Sequence, residues 1–519
     1  MSHSSNSYPS QVEQYDVFEI TLPGRTDGNP FTDHTLSGVF EGEHETLQAA
    51  GFYDGNGLYK VRFMPSHTGT YHFRVTGSFS DAAHDGTFEV TPAQPGNHGP
   101  VRVANRHHFA YADGTPYLPV GTTCYVWTHQ EPEIQAQTLE TLRNSPFNKI
   151  RCCVLPKHYI YNFTDPVSFP FEGTPCDRSD INESNFKYEG TLPGNRWDFT
   201  RFNTAHFQAF EQRIRDLMTL GIEADIIVMH PYDCWGFCRM TPEQDDRYWR
   251  YVIARFSAFR NVWWSLANEY DFMREKTEAD WERYAALLVN EDPHQRLRSI
   301  HNGTRIYDHS RDWITHCSIQ SSEVSKTGAW LAQYDKPVIL DEMCYEGDID
   351  QGWGNITGQE MSHRCWEVAM RGGYIGHGET YLYPASTLDK PDTAEPPQPH
   401  LWWSHGGVLH GESVSRIAFL KTLLESVPGN MLRPVDFAWD VACAVPEDPA
   451  FEETCKFIYF GIKRPSFRNF HFDDTCRYRV EIIDTWHMTI RDAGIHQGWF
   501  KVRLPGVPHI CLRITRVAA

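Results

Sequence analysis

The sequence predicts a multidomain α/β plus β protein: a β-sandwich, a (β/α)₈ TIM barrel and a small second β-sandwich, in that order. Three successive patterns along the chain indicate this fold class. Short alternating strands dominate residues 1–97, strands and helices take turns over residues 98–428, and strands return in residues 429–519. Regular alternation of strands with helices is typical of a parallel sheet covered by helices, and the central segment is long enough to close such a sheet into a barrel.

The N-terminal segment has the rhythm of an immunoglobulin-like sandwich. The stretches "YDVFEITL", "LYKVRFMP", "TYHFRVTGSF" and "GTFEVTP" alternate apolar with polar residues between turns rich in Gly, Asp and Pro. The stretch "PAQPGNHGP" at residues 92–100 is typical of a linker. Near the other terminus, "KFIYFG", "YRVEIIDTWHMTI", "WFKVRLPG" and "ICLRITRVA" predict the second sandwich.

The central segment offers eight apolar strand candidates with helices between most of them. One helix pattern ends at Gly221, and another begins with Thr241 as N-cap and Pro242 in its first turn. The connections 156–202 and 380–406 are too long for routine turns, and both follow strands. We therefore expect both to flank the mouth of the barrel. The strand candidates are "YLPVGTTCY", "FNKIRCCVL", "IEADIIVMH", "VWWSLANE", "RSIHNG", "ITHCSIQ", "KPVILDE" and "GGYIGHGE".

Composition excludes several classes of partner. The 519-residue chain has a formal charge of −20, which argues against nucleic acid and anionic membranes as partners. We expect no signal peptide and no membrane helix, because no long apolar run is present. Thirteen scattered cysteines favour free thiols in a reducing cytoplasm. Cys234 and Cys238 lack a matching second pair, so neither a metal nor another cofactor is expected. The sequence does not decide between a monomer and a homo-oligomer.

Polar side chains follow most of the predicted barrel strands. In a (β/α)₈ barrel such residues lie at the C-terminal face, where the loops after the strands build the active site. We therefore expect these side chains to meet around one substrate. From strand two to strand eight, the candidates are Arg151, His230, Asn268, Glu269, His316, Asp341, Glu342, His377 and Glu379.

Two carboxylates in this set suit glycoside hydrolysis. Glu269 closes strand four after "SLAN", and Glu342 closes strand seven after "VILD". A retaining glycosidase needs one protonated carboxyl group to release the leaving oxygen and one carboxylate to attack the sugar. Strands four and seven lie across the barrel from each other, so their ends can face one sugar. Which acid of strand seven faces the site depends on the pleat; we favour Glu342, with Asp341 as a structural partner.

The Asn-Glu ending of strand four, together with the Glu ending of strand seven, resembles glycoside hydrolase clan A. The resemblance implies that Glu269 is the acid/base, Glu342 the nucleophile and Asn268 a ligand of the sugar 2-hydroxyl. "FNKIRCCV" and "IIVMH" are similar to the strand-two and strand-three endings of the clan. They imply that Arg151 steadies the nucleophile and that His230 lies beside the substrate. Strand six lacks the tyrosine that clan members often use, and Tyr345 is the candidate to replace it.

Across nearly its whole length the chain resembles the apiosidase-like group of this clan, which carries an N-terminal immunoglobulin-like domain and a C-terminal β domain. The stretches "MHPYDCWGF", "GGYIGHGETY" and "WWSHGGVLHGESVSRIAFLK" carry the resemblance. It implies an enzyme acting on an oligosaccharide or glycoside, by preference a furanoside or a pentose. The two long connections predict a pocket, and hence exo-action that releases one terminal sugar.

Other interpretations remain open for the function and for single residues. The chain is alternatively a non-catalytic carbohydrate-binding protein on a barrel scaffold, or an inverting hydrolase or transglycosylase that uses the same site. His316, His377 and Glu379 are either sugar contacts or internal braces. Trp235 and Trp353 are either platforms for sugar stacking or parts of the core.

Overall fold

The computed structural model shows a β-rich N-terminal domain, a parallel barrel and a C-terminal β domain. Most of the predicted loop 380–406 lies outside the described residues, so the structure does not test its role. Within the described part of the chain, no helix has the length and apolar character needed to cross a bilayer. The described residues are 7–79, 83–182, 184–188, 190–382 and 401–517.

The N-terminal domain is one seven-stranded sheet in the order β1-β7-β6-β3-β4-β5-β2. Alternate residues of its strands are buried, as the period of two predicts. The buried rings include Phe18 stacked on Phe88 and Phe40 stacked on Phe63. The strands are β1 (Gln11–Glu13), β2 (Phe18–Pro23), β3 (Leu36–Glu41), β4 (Thr46–Tyr53), β5 (Leu58–Phe63), β6 (Gly69–Gly77) and β7 (His84–Thr91).

A small antiparallel sheet, not expected from the sequence, covers the N-terminal end of the barrel. It consists of β8 (Val101–Ala104), β9 (His108–Tyr111) and β10 (Pro116–Tyr117). Phe109 packs against Trp263 and Tyr374, which lie at the starts of two barrel strands. This sheet therefore closes the end of the barrel opposite to the predicted site.

Eight parallel strands form the barrel, and this part of the prediction is confirmed. Each strand pairs with its neighbours in the chain, and the last pairs with the first. A single bridge between His301 and Ser318 joins the fifth and sixth strands and completes the circle. In barrel order the strands are β11 (Val120–Thr123), β12 (Lys149–Cys153), β15 (Glu223–Met229), β16 (Val262–Ala267), β17 (Arg298–Ser299), β18 (Cys317–Gln320), β19 (Val338–Glu342) and β21 (Tyr374–His377).

Helices surround the barrel, and their ends follow the sequence signals. Thr241 and Gln244 form a capping box with Pro242 in the first turn of α3, and Gly221 with φ +69° follows the C-cap of α2. The helices are α1 (Pro132–Arg143), α2 (Thr204–Thr219), α3 (Pro242–Phe256), α4 (Glu278–Glu291), α5 (Thr327–Tyr334), α6 (Gly358–Met370), α7 (Trp402–His405) and α8 (Ser413–Glu425).

Two short strand pairs lie in the loops after the barrel strands. The hairpin β13 (Phe171–Thr174) and β14 (Arg196–Phe202) belongs to the long connection after β12. The parallel pair β20 (Glu346–Gly347) and β22 (Glu379–Thr380) continues β19 and β21 beyond the barrel. These pairs hold the chain that surrounds the mouth of the barrel.

The C-terminal domain is a six-stranded sheet in the order β23-β24-β25-β30-β27-β28, with a separate pair β26-β29. Tyr459 packs on Trp366 and His363 of α6, which fixes this domain to the barrel. The strands are β23 (Leu432–Pro434), β24 (Ala442–Pro446), β25 (Cys455–Tyr459), β26 (Phe467–His471), β27 (Arg477–Asp484), β28 (Thr489–His496), β29 (Trp499–Arg503) and β30 (Ile510–Val517).

Buried ion pairs join the N-terminal domain to α2 and α3. Arg62 contacts Glu211 at 2.8 Å, and Arg255 contacts Glu211 at 3.1 Å and Asp54 at 2.7 Å. Arg62 and Arg255 are fully buried. Because each guanidinium meets a carboxylate of the other domain, the two domains share one charged core.

Candidate active site

A cavity of about 1590 Å³ opens at the C-terminal ends of the barrel strands. Glu269 and Glu342 both line it. Its other walls come from loops after several strands, including Tyr188, Trp353 and Trp403. The cavity is therefore where the barrel topology predicts a site.

Glu269 follows strand β16 in a backbone conformation that is unusual for its residue type. Its φ is +50°, in the left-handed region that few residues other than glycine adopt. Tyr232 Oη donates to Glu269 Oε2 at 2.5 Å, and Asn268 Nδ2 donates to the same oxygen at 3.1 Å. Gln320 Nε2 donates to Glu269 Oε1 at 3.2 Å. Three donors thus fix the carboxyl group at the cavity wall.

Burial raises the pKa of Glu269 to about 7, and the charge of Glu342 adds to the rise. Lys157 and the hydrogen bonds from Tyr232 and Gln320 oppose this shift of the pKa only in part. At neutral and mildly acidic pH a large fraction of Glu269 is therefore protonated and able to act as a general acid.

Glu342 closes strand β19 among donors and positive charge. Its Oε1 accepts a hydrogen bond from Tyr125 Oη, and it lies 3.2 Å from His301 Nε2 and 3.4 Å from Arg151 Nη1. Burial alone would raise the pKa of Glu342, but the contacts with His301, Arg151 and Tyr125 outweigh burial and lower the pKa to about 2. Glu342 is therefore ionised at neutral pH.

Two hydrogen-bonded bridges connect the carboxyl groups. Asn268 donates to Glu269, and its Oδ1 accepts from Tyr125 Oη at 3.1 Å and from Arg151 Nη2 at 3.2 Å. On the other side, Gln320 donates to Glu269 while its Oε1 lies 3.3 Å from His301 Nε2. The bridges hold the two carboxyl groups in one rigid frame.

A layer of buried charge lies beneath the site. Lys149 Nζ contacts Asp225 at 2.6 Å and Asp341 at 2.8 Å. Ser318 Oγ also donates to Asp341 at 2.5 Å. The pleat of β19 thus directs Asp341 to Lys149 and leaves Glu342 to the cavity.

The predicted site residues separate into two groups. Glu269, Glu342, Tyr345 and Trp353 line the cavity. Asn268 and Arg151 are fully buried; Asn268 donates to Glu269, and Arg151 donates to Glu342 and to Asn268. All six are therefore in one place, although only four of them face open space.

The remaining candidates do not line the cavity that the described residues form. His230 is buried, with Nε2 at 3.1 Å from the Leu155 carbonyl, and Trp235 is buried under the Arg178 guanidinium. His377 and Glu379 are buried beside β20. These four side chains are therefore buried away from the open cavity, and their contacts with sugar stay predictions.

His316 lies away from the mouth of the barrel. Strand six runs from Cys317 to Gln320, so His316 precedes the strand instead of ending it. It packs against Phe109 and Trp263 at the closed end of the barrel. Gln320 occupies the strand end where a site residue was expected, and it contacts Glu269.

Sequence reasoning missed several residues that contact the two carboxyl groups: Tyr125, Tyr232, His301 and Gln320. His301 and Gln320 carried a usable signal, since each lies at the end of a strand candidate. Tyr125 also ends a strand candidate, "YLPVGTTCY", although β11 itself ends at Thr123. Tyr232 lies beyond its strand, where the chain path is irregular and spacing gives no guidance.

Lys157 was also missed. Its Nζ lies 3.4 Å from the ring centre of Tyr125 and 4.3 Å from that of Tyr232. Burial lowers the pKa of Lys157, while the neighbouring carboxyl groups of Glu269 and Glu342 favour its protonated form. The aromatic rings therefore hold a cation beside both carboxyl groups.

Comparison with known proteins agrees with this geometry. The family model described as "Apiosidase-like, catalytic domain" matches residues 103–430. Domains of unknown function, DUF5060 and DUF5605, match residues 11–78 and 439–515. No curated protein matches the chain.

Solved structures extend the comparison to the whole chain. A Bacteroides vulgatus ATCC 8482 protein designated a glycoside hydrolase is 36% identical, with 98% of this chain and 100% of that chain covered and a TM-score of 0.87. A family 5 glycoside hydrolase of the same organism has 12% identity, coverage of 81% and 94%, and a TM-score of 0.58. A further glycoside hydrolase has 14% identity, coverage of 81% and 98%, and a TM-score of 0.56. The last two show likeness of fold alone.

The barrel, the paired carboxyl groups at its mouth and the family match define the protein as a glycoside hydrolase. The chain belongs to the apiosidase-like family, whose catalytic domain covers 103–430.

Proposed function

We propose that this protein is a retaining glycoside hydrolase with Glu342 as nucleophile and Glu269 as acid/base. The observation that carries the proposal is the opposite direction of the two pKa shifts in one cavity: about 7 for Glu269 and about 2 for Glu342. Two carboxyl groups with separated pKa values are the usual arrangement of acid and nucleophile in glycosidases.

The chemistry follows from the contacts of each group. Glu342 attacks the anomeric carbon while Glu269 transfers its proton to the glycosidic oxygen, and the leaving group departs. Glu269, now a carboxylate, takes a proton from the water that attacks the same carbon and releases Glu342. Asn268 Nδ2 keeps one hydrogen beyond its bond to Glu269, and we assign that hydrogen to the sugar 2-hydroxyl.

We propose an oligosaccharide or glycoside substrate from which one terminal sugar is removed. The family favours a furanoside or a pentose, and β-linked hexosides are the next class. Tyr188, Gly190 and Thr191 of the connection 156–202 line the cavity, which supports a pocket walled on one side by that connection. Stacking on Trp353 and Trp403 would orient the ring.

Further proposals concern the other domains and the compartment. We retain the domain division 1–97, 98–428 and 429–519, with an immunoglobulin-like sandwich at the start and a small sandwich at the end. All thirteen cysteines are free thiols, which supports action in the reducing cytoplasm on glycosides already imported.

The stereochemistry of the first product tests the proposal. In NMR spectra recorded during turnover of a chromogenic glycoside, the first sugar released is expected to have the anomeric configuration of the substrate. Glu342→Gln is expected to lose at least about 10⁴-fold in turnover, because no glycosyl–enzyme bond can form. Glu269→Ala should retain activity on substrates with good leaving groups and should be accelerated by azide, which needs no general base.

Glu291→Gln, a surface change at the pair with Arg250, serves as the control and should match the native enzyme. An inverted product would establish the inverting alternative instead. Binding of sugars without turnover by the native protein would establish the carbohydrate-binding alternative.

A further inference from the structure

A second group of titratable side chains lies outside the cavity, beside strands seven and eight. Glu346, His377 and Glu379 each offer one ligand atom, and the three atoms lie within 4.8 Å of one another. All three side chains are almost fully buried. The proposed hydrolysis uses none of them.

The charges of this group are not balanced by a basic residue among the described parts of the chain. The ion pair within 4 Å lies inside the group: His377 Nε2 is 3.6 Å from Glu379 Oε1. That distance is too long for a hydrogen bond, and neither atom has another hydrogen-bond partner. The other carboxylate oxygens accept hydrogen bonds, including one from Tyr381 Oη to Glu346 Oε1 at 2.9 Å. A buried nitrogen and a buried oxygen that face each other without a hydrogen bond are costly, and a cation between them would satisfy both.

The same distance suits two ligands of one metal ion. Imidazole nitrogen and carboxylate oxygen bind zinc at about 2.0–2.2 Å, which separates neighbouring ligand atoms by roughly 3.5 Å. The ligands are also oriented from behind, as is usual in metal sites. Thr122 Oγ1 lies 3.1 Å from His377 Nδ1, and the His410 amide donates to Glu379 Oε2 at 2.6 Å.

Glu346 is held in the same way while part of its carboxylate stays available. The amides of Glu412 and Ser413, at the start of α8, donate to its Oε1 and Oε2 at 2.7 and 3.0 Å. Oε2 therefore retains a free lone pair. Gly411 leaves the space open: a Cβ atom there would lie 2.5 Å from both Glu346 Oε2 and Glu379 Oε1.

We propose that Glu346, His377 and Glu379 bind one divalent transition-metal ion, with zinc as the best match. One imidazole and two carboxylates suit zinc or manganese better than magnesium or calcium, which prefer oxygen ligands throughout. This site needs no cysteine, so the expectation of no metal, which rested on Cys234 and Cys238, did not address it.

The ion would serve the architecture of the active site. It would join β20, after β19, to the end of β21 and to β22, and Glu346 also binds the amides at the start of α8. Tyr345 lies between Glu342 and Glu346 in the chain and packs against Gly378. A metal at this place would therefore fix the segment that brings Tyr345 to the cavity wall.

Metal content of the full-length protein tests the proposal directly. The untagged protein is stripped with a chelator, dialysed, and loaded with zinc or manganese, and bound metal is measured by mass spectrometry. We expect about one ion per chain and a melting temperature that rises with metal concentration, because the folded state binds the ion. Glu379→Gln keeps an oxygen that accepts from the His410 amide. Its affinity for the ion should be at least about tenfold lower than that of the native protein.

Gly411→Ala supplies a second arm, since it keeps all three ligand residues but places a Cβ atom against the oxygens of two of them, which must then move. It should also lose the ion. His309→Gln is the matched control, because His309 is a buried histidine with no hydrogen bond on either ring nitrogen; it should bind metal as the native protein does. Fewer than about 0.1 ions per chain with an unchanged melting temperature would overturn the proposal. Equal binding by the native protein and Glu379→Gln would overturn it too.

Discussion

At the scale of single residues, the two carboxyl groups proposed as catalytic differ through their neighbours and not through their type. Glu269 is buried beside the charge of Glu342, and both effects disfavour its carboxylate form. Glu342 has Arg151, His301 and Tyr125 around one oxygen. The two pKa values are thus separated by donors that lie in strand two or directly after strands one and five.

The hydrogen bond from Tyr232 gives a test of this explanation. It stabilises the ionised form of Glu269, so Tyr232→Phe should raise the pKa of Glu269 above about 7. Activity that requires protonated Glu269 is lost as the pH rises through that pKa, and the alkaline limb should move upward by about one pH unit. The kcat/KM–pH profile measures the shift.

Tyr188→Phe is the control, because Tyr188 lines the same cavity without a hydrogen bond to Glu269. It should leave the alkaline limb in place. If the alkaline limb of the Tyr232→Phe profile is unchanged or lies at lower pH, the assignment of that limb to Glu269 is refuted.

At the scale of elements, the barrel puts distant residues together because all eight strands run in parallel. Every strand end then faces one opening, so Asn268, His301, Gln320 and Glu342 meet although they are far apart in sequence. The outer elements depend on buried charge instead. Arg62 of β5 reaches α2 and the end of α3, where it donates to Glu211 and to the Arg255 carbonyl.

Breaking that contact should destabilise the whole protein. Arg62→Met leaves Glu211 and Glu19 with fewer positive partners in a buried interface, and loss of one member of such a pair costs roughly 3–5 kcal/mol. Denaturant unfolding measures the change. Arg25→Met removes an exposed pair with Asp27 and should leave stability unchanged. Similar stability of the two variants would show that the interface does not depend on these charges.

At the scale of the whole molecule, the cavity is larger than one sugar requires. Its volume of about 1590 Å³ exceeds the roughly 300–1,000 Å³ of ordinary small-molecule sites. It therefore has room for a leaving group of several sugars beside the sugar that is cleaved. The connection 156–202 walls one side through Tyr188, Gly190 and Thr191.

This shape predicts the product pattern. With an oligosaccharide labelled at its reducing end, the enzyme should release unlabelled monosaccharide only, while the labelled chain shortens by one sugar at a time. Chromatography of timed samples measures both products. Mid-length fragments early in the reaction, with no monosaccharide, would show an open groove and endo-action.

The sequence by itself determined the order of domains, the barrel and the pair Glu269 and Glu342. These features depend on local patterns: the period of two in strands, caps on helices, and carboxylates directly after apolar runs. A strand end can be recognised from its own residues, and the parallel barrel then implies where that end lies.

Only the tertiary structure decided which polar residues reach the site. His316 precedes strand six instead of ending it, and His377 and Glu379 are buried beside β20 and the start of α8. Tyr125, Tyr232 and Lys157 enter from irregular loops, whose path depends on packing between distant segments. Spacing along the chain carries no information about such contacts, because long-range packing and not local conformation sets them.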